Sequence, residues 1–364
     1  MNPEISQQED RYDFLVFVGR FQPFHNGHQA VVRTALERAR FLIMLVGSAH
    51  RARCTRNPWT FAEREAMIRA TLSDDDNRRV FILPVMDATY NDDLWLSTVQ
   101  KCVAGVVAAH HDRPHRAPEI GLIGHAKDHT SYYLQLFPQW GAIDVAAGGQ
   151  TSGTDVRQRV FKSDAGGWED QRLDVASEVG AMVPAPVLEQ LEAFVRTDDF
   201  QTLREEHDFV VKYRAQWSDA PYDPMFVTVD AVVVQSGHVL LVERGARPGK
   251  GRWALPGGFV DGTETIRTAV LRELKEETRI RVPLPVLAGS IVGEGVFDDP
   301  HRSARGRTIT HAFLIHLKPD TSLPKVRGSD DARHAFWVPL AELQPDLFFE
   351  DHYFIVQRMI GKLA

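Results

Sequence analysis

Between residue 12 and about residue 161, short apolar runs alternate with helical patterns, and no other feature of the chain restricts its fold so tightly. The runs YDFLVFV, FLIMLV, VFILPVMD, EIGLIGH and AIDVAA have strand length. Between them, HQAVVRTALERA, FAEREAMIRATL and LWLSTVQKCVAGVVAAH repeat apolar residues every three or four positions. That rhythm predicts βαβ units and a parallel, doubly wound sheet. Ligands of such sheets gather beyond the carboxyl ends of the strands, where GRFQPFHNGH follows the first run.

The rhythm then changes. From about residue 165 to 222 charged helical segments, LEQLEAFV and FQTLREEHDFVVKYRAQW, end in the proline-punctuated DAPYDP and read as a connector. MFVTVDAVVV and HVLLVER follow, separated by the turn QSG, which predicts a hairpin and a second architecture. A chain of 364 residues exceeds one ordinary core. The expected division is residues 1–180, a helical connector over 181–222, and residues 223–364.

Charge and cysteine content narrow the function. With 42 Lys and Arg against 49 Asp and Glu, the formal charge is −7 and no basic tail is present, so nucleic acid is not expected as a partner. The opening MNPEISQQEDRYD lacks the pattern of a secretory signal, and FLIMLVG is too short to span a bilayer. A cytoplasmic protein with no membrane partner is expected. Cys54 and Cys102 show neither paired metal spacing nor a disulfide framework. The sequence is silent on oligomeric state and leaves a homo-oligomer open.

In GRFQPFHNGH, Gly27 and His28 stand where the chain enters a helix whose Val31, Val32, Ala35 and Leu36 face a core. A helix N-terminus carries free amides and roughly half a positive charge, so it holds anions. Imidazoles of His25 and His28 beside it can donate to phosphate oxygens as charge builds in a transition state, and Gly27 permits close approach. The rival reading is two histidines that cap the helix or satisfy core polar groups. Zinc is the weaker rival, since no third and fourth ligand stand at recognisable spacing. A second segment, TSGTDVRQRV, tips the balance towards phosphate: Ser152 and Thr154 place hydroxyls at another helix start, with the Arg157 guanidinium one turn on.

The pair His25-Asn26-Gly27-His28 and Ser152-Gly153-Thr154-Asp155-Val156-Arg157 resembles the HxGH and SxTxxR-type signatures of the nucleotidyltransferase superfamily. With NPWTFAEREAMI at residues 57–68, the extended form looks most like the archaeal-type nicotinamide mononucleotide adenylyltransferases. The resemblance implies a Rossmann-like domain in which the mononucleotide phosphate attacks the α-phosphate of ATP, a substrate, without a covalent intermediate. It implies that His25 and His28 contact ATP phosphates, that Ser152, Thr154 and Arg157 close the other side, and that Gly19, Arg20 and Gly27 belong to the same nucleotide site. Asp87 and Trp95, in PVMDATYNDDLWLS, resemble the nicotinamide side, where an indole could stack on the pyridinium.

A second loaded stretch is WALPGGFVDGTETIRTAVLRELKEETRI, residues 253–280. Ile266, Ala269, Val270 and Leu274 form a buried stripe, while Glu273, Glu276 and Glu277 crowd their carboxylates at i, i+3 and i+4. Like charges so placed repel by about a few tenths of a kcal/mol per pair, and a divalent cation with oxygen ligands, Mg2+ or Mn2+, would remove the conflict. A solvated acidic helix face is the rival. Against it stands the spacing from Gly258 through Glu264 to Arg272–Glu277, which matches the Nudix box. One position departs: Arg279 stands where the box has glycine, and arginine in a left-handed exit costs about 1 kcal/mol.

This resemblance implies an α/β/α domain with a mixed sheet, metal bound by Glu273, Glu276 and Glu277 with assistance from the Gly258 carbonyl, and bracing by Glu264 and Arg272. The loop GEGVFDDPHRSARGR offers Glu294, Asp298 and Asp299 as bases, and with TITHAFLIHL looks like the ADP-ribose-hydrolysing branch. Together the segments resemble bifunctional nicotinamide mononucleotide adenylyltransferase/Nudix hydrolases, which implies the small-molecule substrates ATP, nicotinamide mononucleotide and ADP-ribose. Two alternatives stay open: adenylyl transfer to another acceptor, and a Nudix half that senses ADP-ribose without cutting it.

Overall fold

The computed structural model describes residues 12–124, 136–145, 151–162, 175–328 and 332–363. The acidic opening residues, His125 and residues 146–147 of the expected strands lie outside the described residues. The chain forms two compact units, one of Met1–Asp87 and Asp92–Thr202, the other of Ala88–Asn91 and Leu203–Ala364.

In the first unit β1 (Tyr12–Gly19) leads into α1 (Asn26–Arg38) and β2 (Ala39–Val46). Then come α2 (Phe61–Arg69), α3 (Asp74–Arg79), β3 (Val80–Pro84), α4 (Asp92–His110), β4 (Ile120–Gly124), β5 (Gly141–Asp144) and α5 (Gly153–Phe161). Next are α6 (Val175–Val179), α7 (Ala185–Phe194) and α8 (Asp198–Ala215), of which residues from Leu203 on belong to the second unit. The five strands are all parallel in the order β3-β2-β1-β4-β5, which is the doubly wound sheet that the alternation predicts. Connections leave β1 towards β2 and β3 on one side and β4 and β5 on the other, so the order reverses beside β1. A crevice opens at such a switch point, and residues 19–28 lie at its mouth. One face packs Phe14, Val16, Ile43, Leu45 and Leu122 against Val99 and Val103 of α4. α1 buries Val31, Val32 and Ala35, with Leu36 half-buried.

The second unit contains β6 (Met225–Gln235), β7 (His238–Arg244), β8 (Trp253–Ala254), β9 (Gly257–Phe259), α9 (Ile266–Thr278) and α10 (Leu284–Gly289). It ends with β10 (Ile291–Phe297), β11 (Arg307–His316), β12 (Ala332–Pro339) and α11 (His352–Ile360). The expected hairpin joins β6 to β7 through Ser236 and Gly237, both left-handed at φ 46° and 74°, as a two-residue turn requires. The sheet runs β10-β11-β6-β7-β12, with β8 on β7 and β9 on β6. It is mixed, because β11 pairs parallel with β6 while the other pairs are antiparallel. Period-two alternation divides β6: Val229, Ala231 and Val233 meet Ala269, Val270 and Leu274 of α9, whereas Val232 and Val234 meet Ile355, Val356 and Met359 of α11. Each fully buried Val or Leu there contributes about 1.5–3 kcal/mol, and the result is an α/β/α sandwich. Among the described residues no helix is long and apolar enough to cross a membrane.

α9 ends at Arg279 in the left-handed conformation expected of that position, φ 45° and ψ 32°. The side chain is exposed, so little packing offsets the strain. Arg279→Gly should therefore raise the stability of the second unit by up to about 1 kcal/mol, read as a higher urea midpoint. A lower midpoint would show that the arginine side chain contributes more than the strain costs.

Candidate active sites

The first site begins where β1 ends. Phe21 is left-handed, φ 51°, and its ring lies over Gly19, where an added Cβ would come within 2.8 Å of it. Gly19 thus makes room for this ring. His25 is the N-cap of α1. Its Nδ1 accepts from the His28 N–H at 3.4 Å, while His28 Nδ1 accepts from the His25 N–H at 3.3 Å. The rings stack with centroids 3.6 Å apart. Capping, the rival reading of this pair, is what the histidines do, and the same arrangement sets both imidazoles at the positive end of a helix. A Cβ on Gly27 would lie 3.1 Å from His25 Cε1, so glycine is needed to seat that ring.

α5 is docked onto this loop. Ser152 caps it in a reciprocal box with Asp155. Arg157 is buried and donates from Nη1 to the Gln22 carbonyl at 2.6 Å, across 135 positions of sequence, and from Nη2 to Thr154 Oγ1 at 3.0 Å. Gln22 in turn grips the backbone of Trp59, its Nε2 donating to the carbonyl at 2.8 Å and its Oε1 accepting from the N–H at 3.1 Å. The two signatures are thereby brought together.

Arg64, on α2, escaped the sequence reading because it occupies an ordinary polar position in a helical pattern. It is wholly buried and donates to the carbonyls of Thr60, Arg20, Gly47 and Ser48, at 3.1, 2.6, 2.7 and 3.3 Å. Burial pushes Arg64 down to about 10. Burial and neighbouring guanidiniums push Arg20 and Arg157 down to about 10 as well. A cluster of desolvated cations is relieved by an anion. Asp87 accepts from the Ser48 N–H at 3.0 Å, Ser48 Oγ at 2.8 Å and Arg51 Nε at 2.8 Å, and so holds the loop after β2. Trp95 is half-buried on α4 and packs against the sheet core, 6.2 Å from the Phe137 ring.

In the second unit, pairing of β9 with β6 places two glycine backbones against α9. Gly257 N–H donates to Glu277 Oε2 at 3.0 Å, and a Cβ on Gly258 would lie 2.5 Å from Glu273 Oε1. Arg272 Nη1 donates to Glu273 at 2.9 Å and Glu276 at 3.0 Å, and its Nη2 to Glu264 at 2.5 Å, which is the bracing expected of Glu264 and Arg272. Among the described residues no three His, Cys, Asp or Glu side chains converge as they stand to hold an ion. Glu276 is exposed and turned to Arg272. Burial pushes Glu277 up to about 8, with Glu273 and Asp230 adding and the Gly257 N–H opposing. Burial raises Glu273 too, against the pull of Arg272. An oxygen donor set with carboxyls held up in this way fits a divalent cation, which would favour both ionised forms.

Other residues of this unit had no local signal. The half-buried Arg244 guanidinium lies 4.1 Å over the Phe349 ring, and Glu350, left-handed at φ 44°, accepts from the Ala304 N–H at 3.0 Å. Arg302 donates to Asp351 at 2.9 and 3.0 Å, and Tyr90 donates its hydroxyl to the same carboxylate. Thr310 Oγ1 donates to Asp230 at 2.6 Å. Of the loop acids, Glu294 pairs with His311 at 3.1 Å, Asp299 accepts from the His301 N–H at 2.7 Å, and Asp298 lies 3.9 Å from Arg307.

Residues 16–159 match the cytidylyltransferase-like family, and residues 224–359 the NUDIX domain. The chain is 32% identical over 207 residues to the nicotinamide/nicotinic acid mononucleotide adenylyltransferase of Acinetobacter baylyi, covering 57% of this chain and 96% of that protein. It is 37% identical over 131 residues to the ADP-ribose pyrophosphatase of Methanocaldococcus jannaschii, covering 36% of this chain and 70% of that protein. It also matches the crystal structure of a bifunctional NMN adenylyltransferase/ADP ribose pyrophosphatase from Francisella tularensis complexed with AMP and Mn ion. That match has a TM-score of 0.85 at 34% identity and covers 97% of this chain and 100% of that one.

Two outcomes follow from the burial of charge. Arg64→Met takes the guanidinium from the carbonyls of Arg20, Gly47 and Ser48, while Thr60 keeps the backbone N–H of residue 64, and should cost about 3 kcal/mol or more, seen in urea unfolding followed by fluorescence. A loss below 1 kcal/mol, by that same reasoning about unmet buried groups, would mean that water replaces the guanidinium. For Glu277, the folded-state value lies above the ordinary one. Between about pH 4.5 and about pH 8 the unfolded chain therefore binds fewer protons than the folded one, and metal-free protein loses stability as pH rises through that window. Glu277→Gln should remove this slope, so that the variant gains on the parent chain towards pH 8. Parallel stability profiles would contradict it.

Proposed function

The chain belongs to the family of bifunctional nicotinamide mononucleotide adenylyltransferase/ADP-ribose pyrophosphatases, and on that premise we propose that it carries out both reactions as a cytoplasmic enzyme acting on small nucleotides. The observation that carries this reading is a likeness extending over 97% of the chain, which includes both site signatures, each in its own unit.

In the first reaction nicotinamide mononucleotide and ATP give NAD and pyrophosphate. A phosphate oxygen of the mononucleotide attacks the α-phosphorus in line, the bond to the β-phosphate oxygen breaks, and no enzyme nucleophile is needed. His25 and His28 at the start of α1 would face the reacting phosphate, and Thr154 and Arg157 the departing pyrophosphate, with Arg20 adding charge. Desolvated donors that are already in place stabilise the building charge without reorganising.

In the second reaction ADP-ribose and water give AMP and ribose 5-phosphate. Glu273 and Glu277 beside Gly258, joined by Glu276 once it turns from Arg272, would hold Mg2+ or Mn2+. Such a cation, when bound, offsets phosphate charge and lowers the pKa of a coordinated water. Gly257 orients Glu277 through its N–H, while Arg272 and Glu264 keep the loop on the helix.

Incubating purified protein with ATP, nicotinamide mononucleotide and Mg2+, and separately with ADP-ribose, tests both halves by chromatography of the products. His28→Ala should lower NAD formation by about 100-fold or more and leave AMP release unchanged. Glu277→Gln should do the reverse. Equal loss of both activities in either variant would contradict two separate sites.

A further inference from the structure

We propose that His352 and Asp230 are positioning residues of the second site: from a buried polar cluster at the start of α11 they hold residues 255–258, and through them the Gly257 N–H on Glu277 and Gly258 beside Glu273. The inference rests on the assignment of a divalent cation to those carboxylates and adds what keeps the backbone beside them in place.

Residues 255–258 cannot anchor themselves. β9 has three residues and two are glycine, so at 257 and 258 there is no side chain to pack. The anchors come from elsewhere. The Pro256 carbonyl accepts from the Ala231 N–H at 2.8 Å, and Val260 donates to the Val227 carbonyl at 3.1 Å. On the other side the turn that opens α11 grips the segment twice. Phe349 donates its N–H to the Trp253 carbonyl at 2.8 Å, and the Leu255 N–H donates to Nδ1 of the buried His352 at 3.0 Å. Asp230 completes the hold, since it pairs with Gly257 in the sheet and a Cβ on that glycine would lie 2.9 Å from its Oδ1. Within the turn Glu350 is left-handed at φ 44°, a strain of about 1 kcal/mol or more off glycine. Such strain persists where neighbours are committed, and the next two residues are.

Asp351 receives Nε and Nη2 of Arg302 at 2.9 and 3.0 Å, and the Tyr90 hydroxyl besides. Nη2 of Arg302 also stands 4.0 Å from Asp230 Oδ2, the oxygen that accepts from Thr310 Oγ1 at 2.6 Å. Nδ1 of His352 stands 3.8 Å from Asp230 Oδ1. Asp230, Arg302, Asp351 and His352 are all buried. Well-packed apolar side chains in place of such a cluster are often neutral or stabilising, so stability alone does not account for it. Apolar groups could do neither of two things that it does. They could not accept the Leu255 N–H, which would otherwise be buried without a partner, and they could not set a carboxylate against Gly257. His352 accepts at Nδ1 and so is neutral. One guanidinium between two carboxylates then leaves the cluster negative, behind the strand that carries Gly258, where the charge favours a cation.

The test uses the full-length chain and Mn2+ alone, with free ion read from its EPR signal and Glu277→Gln as the blank. His352→Leu should bind Mn2+ at least about tenfold more weakly than the parent, the scale of loss when an outer partner of a metal site is removed. His352→Asn keeps an acceptor near the Nδ1 position and should stay within about threefold. Asp230→Asn keeps shape but loses charge, and should weaken binding by about tenfold. AMP release from ADP-ribose should need correspondingly more Mn2+ for half its maximal rate, and NAD formation should not change. If His352→Leu unfolds the second unit, Asp230→Asn, which leaves the Leu255 bond in place, decides by itself. Parent-like Mn2+ affinity in Asp230→Asn or in a folded His352→Leu would overturn the proposal, as would equal losses in the leucine and asparagine variants of His352. A parent chain that takes up no more Mn2+ than Glu277→Gln removes the cation assignment itself, and the positioning role with it.

Discussion

Arg64 has no exposed surface, and the loops of the first site take their positions from it. Its guanidinium is met by carbonyls from the ends of β1 and β2 and from the cap of α2 rather than by a carboxylate. Burying a cation whose hydrogen bonds all go to dipoles is expensive, and a fold keeps such a group where several backbone ends must be held at once. The Arg20 carbonyl is one of those ends, and the left-handed Ser48, which Asp87 also grips, is another. Asp87 then fixes Arg51. A chain of dependence runs from one buried side chain to three positively charged or strained positions around the crevice mouth.

The second unit applies the same logic with the sign reversed. Its α9 brings carboxylates of Glu273 and Glu277 against the backbone of β9, and only glycine at 257 and 258 allows the approach: a Cβ on Gly257 would lie 2.0 Å from the Val229 carbonyl. Burial first, and neighbouring carboxylates after it, raise the cost of ionising both acids, which is the condition under which a cation would be worth most to the fold. In each unit, buried like charge that costs the ligand-free protein stability would favour a ligand of opposite charge.

What could be read from the sequence divides along the range of the interaction. The alternation of β1 through α5, the stripe Ala269, Val270 and Leu274, the hairpin at Ser236–Gly237 and the strained exit at Arg279 are consequences of neighbours in the chain, and local periodicity reports them. The sheet orders are set by pairings far apart in sequence, so neither the reversal beside β1 nor the parallel pairing of β11 with β6 has a local signature. The same holds for side chains. Nothing in FAEREAMI marks Arg64 as buried, since its partners are backbone carbonyls that every residue possesses. Tyr90 belongs with Asp351 and Arg302, 261 positions from the former, which no spacing rule connects. Asp87 and Trp95 illustrate the opposite case, in which a motif names the residues but their hydrogen bonds and packing come from elsewhere in the unit.

Capping does not exclude ligand contact at these two helix starts. A helix end that binds an anion must first fix its own loop, and here the groups that fix it are those the signatures name. The consequence differs between the two helices. An imidazole has a second nitrogen on its far edge besides the Nδ1 that His25 and His28 each give to the cap. A hydroxyl has only one proton, and Ser152 donates its own to Asp155 Oδ2 at 2.7 Å while accepting from the Asp155 N–H at 3.1 Å. The other hydroxyl at the start of α5, that of Thr154, is exposed and accepts from Arg157, so its own proton is not spent on that bond.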